Sequence, residues 1–196
     1  MPSATPARPG QTPHDTGSVA VEAAIIIPII ILILFGIVEF ALLLRDHVSL
    51  TAAARAGART ASALPRNASF ADNAAAAVAR AGTSMPMGNV QELWVYQADN
   101  AGYPSGEGGQ FLSCVTQCVS YTYNQATRSF DRSGGNWPAT TINACPSSAN
   151  MTSVGVYIKA RHNFATKIMG SGVTMGDHSV MRFEPIPSDR LGGGCG

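Results

Sequence analysis

The sequence predicts an α+β chain, with one long N-terminal helix followed by a small antiparallel sheet. Two observations predict it. Residues 23–44 form a run of 22 positions that includes eight Ile and five Leu and only one charge, Glu39. Further along, apolar and polar residues alternate with a period of two, as in half-buried strands, and Gly-rich stretches separate these segments. One helix followed by strands is an α+β order.

The apolar run comes first. About 20 apolar residues are needed to cross a bilayer core of about 30 Å, so residues 23–44 can span. Pro28 and Gly36 are tolerable inside a membrane helix. A cleaved secretory signal is the rival, with Ala52-Ala53-Ala54 as an A-x-A-like site. Signal h-regions are typically about 7–15 residues, shorter than this run. The rest of the composition narrows the class. Charged residues make up 13% of the 196 positions and the net charge is +1, which excludes a nucleic-acid binder driven by a basic surface.

Orientation is contested by two signals. Arg45, Arg55 and Arg59 follow the run and Arg8 alone precedes it, which favours a cytoplasmic C-terminus. Yet Cys114, Cys118, Cys145 and Cys195 all lie beyond the run in a Ser-, Thr-, Asn- and Gly-rich region. That is the pattern of an oxidised extracytoplasmic domain.

The junction before the run reads Gly17-Ser18-Val19-Ala20-Val21-Glu22. A carboxylate at the start of an apolar helix is costly in lipid. A fresh α-amino group at Ser18, released by cleavage after Gly17, would lie one turn from Glu22 at ion-pair spacing. Glycine suits a protease site that needs an extended backbone.

G-S-x-x-x-E before a long apolar helix resembles the leader junction of type IV pilin-like proteins. Phe35-Gly36-Ile37-Val38-Glu39-Phe40 late in the helix and Ala53-Ala54-Arg55-Ala56-Gly57-Ala58-Arg59 after it narrow the likeness. Together they resemble the TadE-like minor pseudopilins of tight-adherence (Flp-type) pili, over residues 17–63. Asp177-His178-Ser179-Val180-Met181-Arg182-Phe183-Glu184-Pro185 resembles the C-terminal signature of actinobacterial members. Ala23 stands where the Flp-type pattern usually has an aromatic.

The resemblance implies a pilin-like subunit made as a prepilin and cut by a prepilin peptidase between Gly17 and Ser18. It implies a cell-membrane protein crossing once, with a cytoplasmic N-terminus and an extracytoplasmic C-terminal domain. Its implied partners are the bilayer, other pilins and pseudopilins, and the pilus assembly platform. This places residues 1–17 as a disordered leader, 18–64 as the TadE-like helix and its extension, 65–190 as the extracytoplasmic α+β domain, and 191–196 as a flexible tail. Glu39 carries two readings: an intramembrane functional carboxylate, or one that snorkels toward Arg45-Asp46.

After the run, residues 50–64 read as a helix. Arg55, Arg59, Ser62 and Arg66 fall on one polar face. Ala53, Gly57 and Ala61 recur every four residues, a spacing that lets helix backbones approach closely, either onto the chain's own domain or onto a partner. Pro65 ends the helix. Ser69 and Asp72 then give a capping-box-like start to a second helix over 73–81, closed by Gly82. Strands are expected at 90–98, 119–124, 154–161 and 178–184. Residues 100–109 and 132–137 read as Gly-rich connections.

The cysteines favour a disulfide over a metal. Cys114 and Cys118 within one strand would sit about 13 Å apart, beyond bonding reach, although a helical turn would bring them together. Cys145 is therefore expected to pair with one of them, leaving Cys195 over. No C-x2-C pair completes a zinc site. Catalytic motifs are missing: there is no G-x-S-x-G, H-E-x-x-H, P-loop or G-x-G-x-x-G. His162 falls in phase with an apolar strand face, as a core histidine does. The expectation is a protein that acts by packing and not by turnover, without cofactor, nucleic acid or small-molecule substrate. Two rivals stand beside it: an unprocessed, membrane-anchored binding or scaffold protein, and a membrane-tethered hydrolase using His162 or His178.

Overall fold

A computed structural model describes residues 15–82, 84–146, 150–168 and 170–186. The leader before residue 15, the Gly192–194 tail and Cys195 lie outside the described residues. Helix α1, Asp15–Ser62, is continuous through both stretches read as helical from sequence. Helix α2 is Phe70–Ala81. Five strands follow: β1 Val90–Ala98, β2 Cys118–Asn124, β3 Ser129–Asn136, β4 Ser153–His162 and β5 Val173–Arg182. They form one antiparallel sheet in the order β3-β2-β1-β4-β5. The chain divides into two compact units between Ala41 and Leu42.

In the first unit, residues 17–41 carry apolar side chains on every side of the helix. Val19, Val21, Ile25, Ile31, Leu34, Ile37 and Phe40 are all exposed. Pro28 lies inside the helix without ending it.

In the second unit, the same helix changes character. Ser49, Leu50, Ala53, Ala54, Gly57, Ala58, Ala61 and Ser62 are buried, while Arg45, Ala52, Arg55 and Arg59 are exposed. Small side chains let the helix lie close on its neighbours. A Cβ added at Gly57 would come 2.6 Å from Val78 Cγ2 of α2 and 3.2 Å from Val156 Cγ1 of β4. Alanines on α2 face the same core as Leu93, Val95, Val119, Val156 and Ile158 of the sheet. Phe70, Trp137 and Phe183 close one end with edge-on rings 5.0–5.9 Å apart.

The other face of the sheet carries a second core of Trp94, Tyr96, Ala98 and Cys118, covered by Phe111. Phe111 stacks flat on Tyr157 at 4.0 Å. Tyr96 is wholly buried, donates its hydroxyl hydrogen to Gly102 O at 2.8 Å, and has its pKa pushed up by burial. Its ring lies over Gly155, where any Cβ would collide with it. Two covered faces explain why β1, the central strand, lacks clean alternation.

Several expectations are corrected. α2 begins at Phe70, and Ser69 makes no side-chain cap. Asp72 serves β2 instead, accepting from Tyr121 Oη at 2.7 Å. Burial, followed by that bond, pushes the Tyr121 hydroxyl pKa up. Residues 132–137, read as a connection, mostly belong to β3, a polar edge strand. The last strand spans 173–182 rather than 178–184. Ser62 is buried and bonds Arg59 O, so it leaves the polar face.

The cysteine pairing also differs: Cys114 bonds Cys118, with Cα atoms 5.2 Å apart. Only Cys118 is in a strand. Gln117, at φ 50°, turns the backbone left-handed just before it and folds Cys114 back. Cys145 is disulfide-bonded too, but to neither of these.

Two outcomes are expected from this packing. Gly57→Val forces its side chain into Val78 and Val156, and should lower stability by about 1–3 kcal/mol, read from thermal unfolding in detergent. Replacing Cys114 and Cys118 by Ser should cost about 2 kcal/mol, the chain-entropy value for so short a loop, and should abolish the 114–118 cross-linked peptide in non-reducing digests.

Candidate functional site

The candidate site is α1 itself, taken unit by unit. Gly17 and Ser18 lie in its first turns and are exposed, as is Glu22 one turn on. A Cβ at Gly17 would meet nothing within 4 Å. The helical conformation here differs from the extended backbone expected of a protease site, so cutting after Gly17 requires the first turn to unwind. Residues 23–44 rise about 33 Å at 1.5 Å per residue, enough for the hydrocarbon core. The helix is long and apolar enough to cross a membrane. Side chains exposed all round suit lipid, since a soluble surface helix needs a polar face. Glu39 is the exception, at 1% exposure.

In the second unit, two polar joints hold α1 to the sheet. Asp46 Oδ2 and His162 Nδ1 are 2.7 Å apart, and both residues are buried. Five residues along, Thr51 Oγ1 donates to Asp177 Oδ2 of β5. Both joints bridge long chain separations, 116 and 126 residues. Ala53, Gly57 and Ala61 follow on the buried stripe, so within this unit their face packs on the chain's own α2 and sheet.

Neither histidine is set up as a catalytic base. Ser49, Asp46 and His162 share the buried end of α1, which superficially resembles a triad. Yet Ser49 Oγ and His162 Nε2 are each buried without a hydrogen-bond partner, so no Ser–His bond exists. At 4–6% exposure, these residues offer a substrate no access. His178 lies against Tyr103 and Phe111, with centroids at 5.5 and 5.1 Å. Its sequence neighbour Asp177 accepts from Thr51 of α1. Adjacent residues of a strand point to opposite faces, so Asp177 and His178 form no dyad.

A shallow groove of about 420 Å³ runs beside His178, lined by Asp99, Asn100, Ser153 and Arg182. Asp99 Oδ1 is committed to the backbone N–H groups of Ala101 and Tyr103, both at 2.9 Å. Among the described residues, no group of three or more His, Cys, Asp or Glu could hold a metal ion.

Sequence reasoning placed His162 on an apolar face but missed its partner. Nothing in Arg45-Asp46-His47 distinguishes Asp46 until β4 is folded against α1.

This geometry defines a membrane-compatible helix that becomes the spine of an α+β domain. Residues 17–59 match a family model described as TadE-like protein. The match is consistent with a TadE-like protein, and it points to a Tad pilus-associated membrane protein. No curated protein and no solved structure matches the chain.

Asp46→Ala removes the buried acceptor of His162 Nδ1. Stability should fall by about 1.5–3 kcal/mol, the range for hydrogen bonds to charged groups. Thermal unfolding of the detergent-solubilised chain, followed by circular dichroism, measures it.

Proposed function

We propose that the chain is a minor pseudopilin-like subunit for assembly of tight-adherence (Flp) pili. One observation carries the reading. The segment that matches the TadE-like model opens on Gly17-Ser18-x-x-x-Glu22 and continues as a helix apolar on every side. In this reading a prepilin peptidase removes residues 1–17. The new α-amino group at Ser18 lies one turn from Glu22 and offsets its charge. The helix then leaves the bilayer's bulk lipid by packing laterally on other pilins, pseudopilins and the assembly platform.

The N-terminus is cytoplasmic in this proposal, and the α+β domain is displayed outside. The Cys114–Cys118 disulfide supports that orientation, because disulfides persist in oxidising compartments. The Arg residues after the span argue against it by count. A domain of this size translocates largely regardless of such charges. The work is done by packing, as suits a structural pilus protein.

Intact mass of the membrane-extracted protein tests the reading, with and without Gly17→Ala. A mature species starting at Ser18 in the wild type and absent from the variant is the expected result. Because a Cβ at Gly17 meets nothing, a loss of processing would reflect the peptidase and not misfolding. Full-length species in both would leave a plain membrane anchor. A start near Arg55 would mean an ordinary signal peptide, and the pilus reading would fall.

A further inference from the structure

The direction of α1 within the second unit fixes which end of the domain faces the point where the helix enters it. Along α1, Asp46 meets His162, Thr51 meets Asp177, Gly57 meets Val156, and Ser62 O accepts from Glu184 N at 2.9 Å. Strand β4 therefore runs antiparallel to α1. Its C-terminal end, with the connection that follows, sits at the pole where residue 42 enters. Sheet register brings two more connections to that pole. Val90, the start of β1, pairs with Ala160, and Leu93 pairs with Tyr121. The α2–β1 and β2–β3 connections therefore lie there too.

The charges at the two poles differ in sign. By sequence, the three connections at the entry pole hold Arg128 and Lys167 and no acidic residue. Both side chains are exposed, and Arg45 is exposed on α1 at the same level. Of the acids near this pole, Asp46 is buried against His162 and pairs with Arg45 at 3.3 Å, Asp177 is bonded to Thr51, and Asp131 is exposed and accepts from Asn124. Arg161 is held by Asn163 and Ser171 and braces the β4–β5 connection. Beside Lys167, Ile168 is 57% exposed, and Phe164 lies edge-on to His162. The connections at the opposite pole carry Asp99, Glu107 and Glu184. Two cations among the described residues stand there: Arg66, turned inward onto Ile142 O, and Arg182 at the end of β5, beside Asp99.

An exposed apolar tip flanked by the exposed cations Arg128 and Lys167, at the end of the domain where a membrane-spanning helix enters, fits a lipid interface. We infer that the entry pole is a second, peripheral membrane contact. Arg128 and Lys167 lie against anionic lipid headgroups, and Ile168 dips into the interface. This contact holds the domain down on the bilayer and sets its tilt. It rests on the membrane-spanning reading of α1 and is independent of leader cleavage.

The test uses the full-length chain in nanodiscs containing phosphatidylglycerol. No described cysteine is free, so a single introduced thiol can be labelled. An environment-sensitive fluorophore is placed at Ile168→Cys, at Leu112→Cys and at Ile31→Cys. Leu112 is 68% exposed in the β1–β2 connection, which leaves from the opposite pole. Headgroup-nitroxide lipid should quench the label at 168 and leave the label at 112 unquenched, while deep nitroxide quenches the label at 31. Lys167→Glu should lower the ratio of lipid-contacting to free domain at 168 at least about fivefold, the loss of one basic contact of about 1 kcal/mol. Discs of phosphatidylcholine alone should lower it further.

Quenching at 168 no greater than at 112, with 31 quenched, overturns this inference alone. An unquenched label at 31 overturns the membrane reading and this inference with it. Quenching at 168 that ignores both lipid charge and Lys167→Glu overturns the anionic contact.

Discussion

One helix carries two different surfaces, apolar all round in its first half and a single small-residue stripe in its second, and the rest of the chain is arranged around that change. Between residues 23 and 41 its side chains are apolar on all sides but for Glu39, which is buried. From residue 42 onward, small residues on one stripe let α2 and β4 close onto the backbone, and Arg residues hold the other side in water. Dispersion and burial do most of the work along that stripe. The two polar joints, Asp46–His162 and Thr51–Asp177, add direction more than energy. They fix where along α1 the sheet sits, which non-directional apolar contacts between Ala and Val do weakly.

Much of this was legible in the sequence because composition and period speak directly. The span was plain from eight Ile and five Leu in 22 residues. β4 was plain from Val154, Val156, Ile158 and Ala160, all of which are buried. β3 was illegible because an edge strand is paired on one side only. Asp131, Arg132 and Gly134 owe their conformation to ladder bonds with β2 and not to side-chain burial. The cysteine pairing was misread because strand spacing was applied to both residues. One left-handed residue, Gln117, removes Cys114 from the strand. The Asp46–His162 pair lies beyond any local pattern, since its members are 116 residues apart.

The candidate site divides the same way. Gly17, Ser18 and Glu22 announce themselves by spacing, and the fold adds only that the junction is helical and uncrowded. His162 and His178 drew attention as titratable groups on strands. The structure gives them framework roles: one clasps the helix, and the other leans on the aromatic layer around Phe111.

The long separations across the two joints also bear on the order of events during biogenesis. Helix α1 is made first, yet α2 alone covers part of its inward stripe until β4 and β5 arrive, and the two polar joints close across 116 and 126 residues. Non-local pairings of this sort are slow to close, because the entropy of the intervening loop is lost before any contact forms. Between synthesis of the helix and completion of the last hairpin, the emerging chain therefore holds a half-covered row of alanines. Only when β5 pairs with β4, and Asp177 reaches Thr51, does that interval end. The C-terminal hairpin is in this sense a timer: the packing of α1 in the second unit is finished only once β5 has been made.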